Sequence, residues 1–331
     1  MWKRVTIVLS SFMLLNACGS EDASSDTTDE ITLMLDWYPN AVHSYLYAAE
    51  EKGYFEEENI DVDIQFPANP TDPTNLTGAG EVDLAMSYEP TVLMSRDEGL
   101  PVVTVAPIVQ SPLNHIMTLS ESGIETPADL EGKTVGYPGG ATNEPIVEQV
   151  LAHADLTMED ITLTDVGFDI GPALVSGSVD AIVGAYINHE YPLLQQEGHD
   201  ISYMNPVEKG VPSYDELVLI ANENELAENE EVYERFWSAA SKGYEVVKDD
   251  PDNGLELLLK HEEKEEFPLN EDVEQASMDI LLEQMETEER AFGEVSEEES
   301  EQVAAWLYET GLVDEKPDIE DALQPLNDHE S

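Results

Sequence analysis

The sequence predicts an α/β fold of two lobes with a cleft between them and a helical C-terminal part. Three observations carry this. Short apolar runs suited to buried strands alternate with segments of helical spacing from residue 31 to about 221. These runs occupy both halves of that stretch, which suggests two sheets. After residue 221 the chain turns mainly helical and is expected to complete the first lobe. The 331 residues suffice for one large core or two moderate ones.

Taken in order, Ile31, Leu33 and Leu35 alternate as on a buried strand, which Asp36-Trp37-Tyr38-Pro39-Asn40 ends. Val42, Tyr45, Leu46 and Ala49 then repeat at helical spacing, and Gly53 supplies a stop. IDVDIQF (60–66) alternates with period two. VDLAMS (82–87), VVTVAPIV (102–109), KTVGY (133–137), DAIVGAY (180–186) and LVLIA (217–221) suit buried, mostly parallel strands. Helical spacing recurs at 91–98, 144–153 and 189–196. Phe236, Ala239, Ala240, Gly243 and Val247 share a face of a later helix. Leu255, Leu258 and Leu259 follow Pro251, and Val303, Trp306 and Leu307 form a last amphipathic stretch. No internal repeat is visible in the sequence.

Lys3 and Arg4 precede an apolar run from Val5 to Leu15, too short for a stop-transfer span, so residues 1–17 are expected to be a signal peptide. Leu15-Asn16-Ala17-Cys18 resembles a bacterial lipobox, with Asn16 less usual at its place. Cys18 is therefore expected to carry lipid, multiply acylated because one chain anchors only marginally. A plain secretory signal is the alternative. Residues 18–30 read as the lipidated cysteine and a flexible acidic tether, and 326–331 as a tail. The expected location is the extracytoplasmic face of the cell membrane. As the only cysteine, Cys18 leaves no intrachain disulfide and no cysteine-based metal site. The chain shows no P-loop, GxGxxG, GxSxG, HExxH or EF-hand pattern, and no metal or cofactor is expected. The 73 acidic and 13 basic side chains give a net charge of −60, which excludes nucleic-acid binding as a main function. The acids spread over helical segments rather than forming one tail, and 41% hydrophobic residues argue against a disordered chain. An acidic solvated shell of this kind points to a salt-rich or alkaline exterior.

Four turns at strand ends are candidates for ligand contact, because small ligands in α/β folds sit at the carboxyl ends of strands. The first holds Trp37, Tyr38 and Asn40. Two adjacent aromatics either pack under the turn or stack on a flat ligand, and Asn40 either caps the next helix, meets a heteroaromatic edge, or does both. His43, in the first helical turn, reads as a packed core residue. The second is Ser87-Tyr88-Glu89-Pro90: Tyr88 is a candidate wall residue and Glu89 a partner of the helix dipole. The third runs from Gly136 to Pro145. Gly139 and Gly140 permit unusual backbone angles, and Thr142 or Asn143 caps a helix whose free N–H groups can receive an oxygen. Glu144 at that helix start would oppose an anion. The fourth is Gly184-Ala185-Tyr186-Ile187-Asn188-His189-Glu190, where Tyr186 and Glu190, four apart across the turn, are expected to face the cleft mouth with Asn188 between them, and where Glu190 by itself reads as a partner of the helix dipole.

LDWYPNAVHSYLYAAEEKGYFEEENIDVDI, with the later GAYINHE segment, resembles the SsuA/THI5-like solute-binding proteins, and most of all their formylaminopyrimidine-binding (ThiY-like) branch. The resemblance runs from about Ile31 to Leu312. It implies the periplasmic-binding-protein fold, with crossings near 114–118 and 212–216. Lobe 1 would be 31–115 plus 216–325, lobe 2 would be 116–215, and hinge closure would shut the cleft. It further implies a lipid-anchored component of an ABC importer, handing ligand to a permease and its ATPase subunit. The implied ligand is N-formyl-4-amino-5-aminomethyl-2-methylpyrimidine or the related hydroxymethylpyrimidine, with Glu190 accepting from its amine. Alternatives within the superfamily are an aliphatic sulfonate, a nitrate-like anion and riboflavin. A remoter one is the pyrimidine synthase, which acts on bound pyridoxal phosphate and goes with a cysteine-rich motif and a lysine after the strand that ends here in MSYEP. This chain has Ser87, Tyr88 and Glu89 at that place, so a binding protein is expected rather than an enzyme.

Overall fold

The computed structural model describes residues 28–262 and 268–326. The expected signal peptide, Cys18, the expected tether up to residue 27 and residues 327–331 lie outside them. In chain order the strands are β1 (Asp29–Met34), β2 (Ile60–Gln65), β3 (Leu84–Ser87), β4 (Val102–Val109), β5 (Asn114–Leu119), β6 (Thr134–Tyr137), β7 (Thr162–Asp165), β8 (Ala181–Tyr186), β9 (Ile201–Met204) and β10 (Leu217–Asn222). They form two five-stranded sheets, ordered β2-β1-β3-β10-β4 and β7-β6-β8-β5-β9.

The two orders have one plan. In each sheet a long strand arriving from the other lobe is inserted in fourth place: β10 in the first, β5 in the second. Both inserted strands run antiparallel to both neighbours. The other four strands of each sheet share one direction, as expected of mostly parallel strands, and the inserted strand alone opposes them, because a strand that enters from the opposite lobe meets the sheet from its far end. The repeat invisible in the sequence is therefore present in the topology.

The crossings lie between Val109 and Asn114 and between Met204 and Leu217. Asn114 and His115, assigned from sequence to the first lobe, pair with Tyr186 and Ala185 of β8 and so belong to the second sheet. Three strands were not foreseen. β7 and β9 are short edge strands, and β5 carries Asn114, His115 and Thr118 buried among its apolar residues, which hides any alternation. At the ends, Asp29 and Glu30 pair with Ile60 and Asp61 rather than continuing the tether. Leu326, read as tail, is buried and donates its N–H to the Val105 carbonyl.

The first core gathers Ile31, Leu33, Leu46, Val105 and Leu219 under the helix Glu223–Asp249, whose Phe236, Ala239, Ala240 and Val247 face inward. The second gathers Val135, Ile146, Val147, Val150 and Val183. Leu93 and Met94 of the first lobe, and Val303, Trp306 and Leu307 of the helix Glu297–Glu309, join that second core. The Trp306 indole N–H also donates to Gln149 at 3.3 Å. The helical C-terminal part thus serves both lobes, not the first alone, because its apolar stripe fills a seat made by helices of each.

Candidate functional site

A cavity of about 230 Å³ lies between the lobes, walled by the ends of the strands of both sheets. Trp37, Asn40, Tyr88, Gly140, Thr142, Asn143, Tyr186, Asn188 and Glu190, all singled out in the sequence, line it. Tyr38 does not. Its ring lies 5.6 Å from that of Trp37 and 6.4 Å from that of His189, and burial first, then Glu190, pushes its hydroxyl up to about 12. Trp37 packs edge-on against Phe168 of the second lobe with ring centroids 4.2 Å apart. Thr91 and Thr142 share a hydrogen bond between opposite lobes. The cleft is therefore closed.

The four turns take their shape from local chemistry. Asn40 caps the turn Ala41–His43: its Oδ1 accepts from the Val42 N–H at 3.1 Å, and its Nδ2 donates to the Tyr38 carbonyl at 3.2 Å. Its carboxamide is held in place with one N–H to spare. His43 is fully buried and accepts the Asn40 N–H on Nδ1, so Nε2 carries the proton toward Asp36 Oδ1 at 2.9 Å. Asp36 Oδ2 accepts from the Tyr88 hydroxyl at 3.1 Å. On the second lobe, Gly139 and Gly140 both have positive φ and turn the chain into the helix Asn143–Ala152, whose Thr142 makes no side-chain cap. Gly184 of β8 lets that loop approach: a Cβ there would stand 2.6 Å from Pro138 Cδ. Asn114 ties the same region together, accepting the Gly184 N–H at 2.8 Å and donating to Asn143 at 3.1 Å.

Three buried carboxylates set the electrostatics. Glu216 Oε2 accepts the Leu113 and Asn114 N–H groups at 2.7 and 2.8 Å, and its Oε1 accepts the Tyr186 hydroxyl at 3.0 Å. Burial pushes its pKa up to about 7 against those hydrogen bonds, which favour the charged form. Glu190 accepts the Tyr186 N–H on Oε2 at 2.7 Å and His189 Nδ1–H on Oε1 at 2.9 Å. Burial alone would lower the His189 pKa, but Glu190 and Glu274 outweigh it and raise it to about 10. His189 is therefore an imidazolium in the cavity wall. Asp36 is the third. Among the described residues no lysine or arginine lines the cavity.

Two acids weighed in the sequence stand elsewhere. Glu144 is exposed and outside the wall, so it does not bear on the charge of a ligand. Glu89 is buried outside the wall, where it accepts the Asp215 N–H at 2.8 Å. Sequence reasoning missed Asp36, Asn114, His189 and Glu216 as wall residues. Asp36 and His189 sat inside the quoted turns. Asp215-Glu216 directly before an apolar strand was a usable signal, since charges entering a buried run need partners.

The NMT1/THI5-like family matches residues 40–254 of the chain. The formylaminopyrimidine-binding protein of Halalkalibacterium halodurans is 49% identical over 98% of this chain and 99% of its own. The chain belongs to the NMT1/THI5-like family. Within that family, a 4-amino-5-hydroxymethyl-2-methylpyrimidine phosphate synthase of Saccharomyces cerevisiae is 30% identical, covering 68% of this chain and 69% of its own. The alkanesulfonate-binding protein SsuA of Xanthomonas axonopodis pv. citri superposes with a TM-score of 0.69 at 16% identity, over 90% of this chain and 99% of that one. At that identity the likeness speaks for the fold, the two-lobed periplasmic-binding-protein architecture.

Proposed function

We propose that this protein is the solute-binding component of an ABC importer and that it takes a thiamine-type aminopyrimidine, formylaminopyrimidine or hydroxymethylpyrimidine. The observation that carries the reading is the cavity wall: aromatic rings, buried carboxylates and, among the described residues, no lysine or arginine. A flat neutral or cationic heterocycle suits such a wall, and an anion does not. The relative of H. halodurans, whose name is that of a formylaminopyrimidine binder, supports the same choice.

In this reading the pyrimidine lies against Trp37, Tyr88 and Tyr186. The remaining lone pairs of Glu190 accept from the exocyclic amine. The start of the helix Asn143–Ala152 offers its N–H groups to a formyl oxygen. A hydrogen bond to a charged group in a dry cleft contributes about 1.5–3 kcal/mol. The Thr91–Thr142 contact and the Trp37–Phe168 packing form on closure and retain the ligand for transfer to a permease. Pyridoxal phosphate does not fit: among the described residues the wall offers neither an amine for a Schiff base nor a cationic side chain beyond His189 for the phosphate. The synthase reading therefore finds no support in these residues.

Calorimetry against both pyrimidines, thiamine, an alkanesulfonate, nitrate and riboflavin tests the proposal. Tightest binding is expected for one of the two pyrimidines. A sulfonate that binds more tightly than either would overturn it. Anchoring through Cys18 belongs to the same reading, and Cys18→Ser should release the protein from membranes when the permease is absent.

A further inference from the structure

A chain of charged groups connects Glu190 to the first lobe. His189 Nδ1–H is bound to Glu190, and Nε2 stands 3.7 Å from Glu274 Oε1. Glu274 Oε2 in turn accepts the Ala41 N–H at 2.7 Å. Ala41 follows Asn40 in the first lobe's candidate turn, whereas His189 stands near the end of the second lobe's, directly before the helix Glu190–Gln196. Glu274 lies on the helix Glu271–Met285, beyond the family match that ends at residue 254, and is 1% exposed. One turn further along the helix, Ser277 accepts from Asn188 Nδ2 at 2.8 Å. One element outside both sheets therefore holds residues 188–189 and, through Ala41, the turn of the opposite lobe.

We propose that Glu274 is a positioning residue for the ligand site: it ties the Asn40 turn to His189 across the cleft and so keeps Glu190 aimed at the ligand. The ligand named in this inference rests on the aminopyrimidine reading; the ion arrangement does not. Two acids at this depth require a cation between them, since an unpaired buried carboxylate would take up a proton instead. The titratable groups facing His189 are Glu190 on its own turn, Glu274 on the helix Glu271–Met285, and Tyr38 edge-on from the first lobe. With Glu274 neutral, burial acts against the imidazolium with only Glu190 opposing it. The ring should then lose its proton at lower pH, and ligand binding should weaken as pH rises.

Nitrogen NMR of the His189 ring in the ligand-free mature protein tests the arrangement. An imidazolium that persists in wild type to about pH 9 is expected. In Glu274→Gln the ring should titrate about one unit lower or more. Affinity for formylaminopyrimidine near pH 8 should fall about ten-fold, with a smaller loss near pH 6. Glu274→Asp keeps the charge and should restore the imidazolium, whereas a role in shape alone would favour the isosteric glutamine. A neutral ring in wild type near pH 8 overturns the proposal. So does a Gln variant with wild-type ring titration and affinity, or an Asp variant that fares worse than Gln in both measurements. If Glu274→Gln does not fold, the wild-type titration and the Asp variant decide. Should wild type bind neither pyrimidine, the functional reading fails, while the ring titration still judges Glu274.

Discussion

Of the carboxylates buried in or beside the cleft, Asp36, Glu190, Glu216 and Glu89 are each held differently. Asp36 takes His43 and Tyr88, Glu190 takes an imidazolium, and Glu216 takes backbone N–H groups and tyrosines. Glu89 has the Asp215 N–H, and burial first, then the Asp215 charge, pushes its pKa up to about 8. These differences predict the outcome of a paired substitution. Glu190→Gln removes the charge and places an amide where two donors already point, so ligand affinity should fall by roughly ten- to a hundred-fold. Glu89→Gln should leave affinity unchanged at pH 7, because Glu89 is already neutral there and lies outside the wall. Calorimetry on both variants checks this, and equal affinities would remove Glu190 from the site. Glu190 was singled out through the family resemblance, because by itself a carboxylate in a first helical turn reads as a partner of the helix dipole. Glu216 was not, because its role depends on Leu113 and Asn114, which lie about a hundred residues away.

Among the elements, the helices Ser44–Glu51 and Glu223–Asp249 come into close contact at Gly243. At Gly243 a Cβ would stand 2.1 Å from the Tyr45 carbonyl oxygen and 2.8 Å from the Ala49 nitrogen. Both obstacles are backbone, so the side chains cannot give way. Gly243→Ala should force the helices apart and cost about 1–3 kcal/mol or more. The helix Ser44–Glu51 leads directly out of the Asn40 turn, so ligand affinity should fall with stability. A denaturant midpoint equal to wild type would show that the helices separate freely. The sequence placed Gly243 on the inward face with Ala239 and Ala240, since helical spacing is local information. It could not say which helix comes so near. It also missed β7 and β9, whose exposed edges need few apolar residues.

At the scale of the whole molecule, the net charge of −60 and the buried acids act in the same direction. Screening lengths fall from about 30 Å at 0.01 M salt to about 3 Å at 1 M, so sodium chloride should raise the unfolding midpoint steeply over that range. The pH dependence follows from linkage. Glu216 at about 7 and Glu89 at about 8 bind protons more tightly folded than unfolded. Between their unfolded value near 4.3 and those folded values, stability therefore falls as pH rises. His189 adds to this: its contribution is full below about 6.5 and is lost as pH rises through about 10. Molar salt screens the surface but not the buried groups, so a pH dependence should persist there. Unfolding midpoints on a grid of salt and pH check both parts. A profile flat in salt would refute the screening account, and one flat in pH at high salt would refute the buried-group account.

By itself the sequence determined the α/β class, seven of the ten strands and the four turns at the cavity, because periodicity and turn chemistry are written within a few residues of each other. The tertiary structure alone decided which carboxylates meet a cation, which strands run antiparallel, and that the last helices hold both lobes. Those outcomes depend on groups such as Ala41, His189 and Glu274, which are far apart in the chain and meet only when the lobes close. Their interactions leave no local pattern to read.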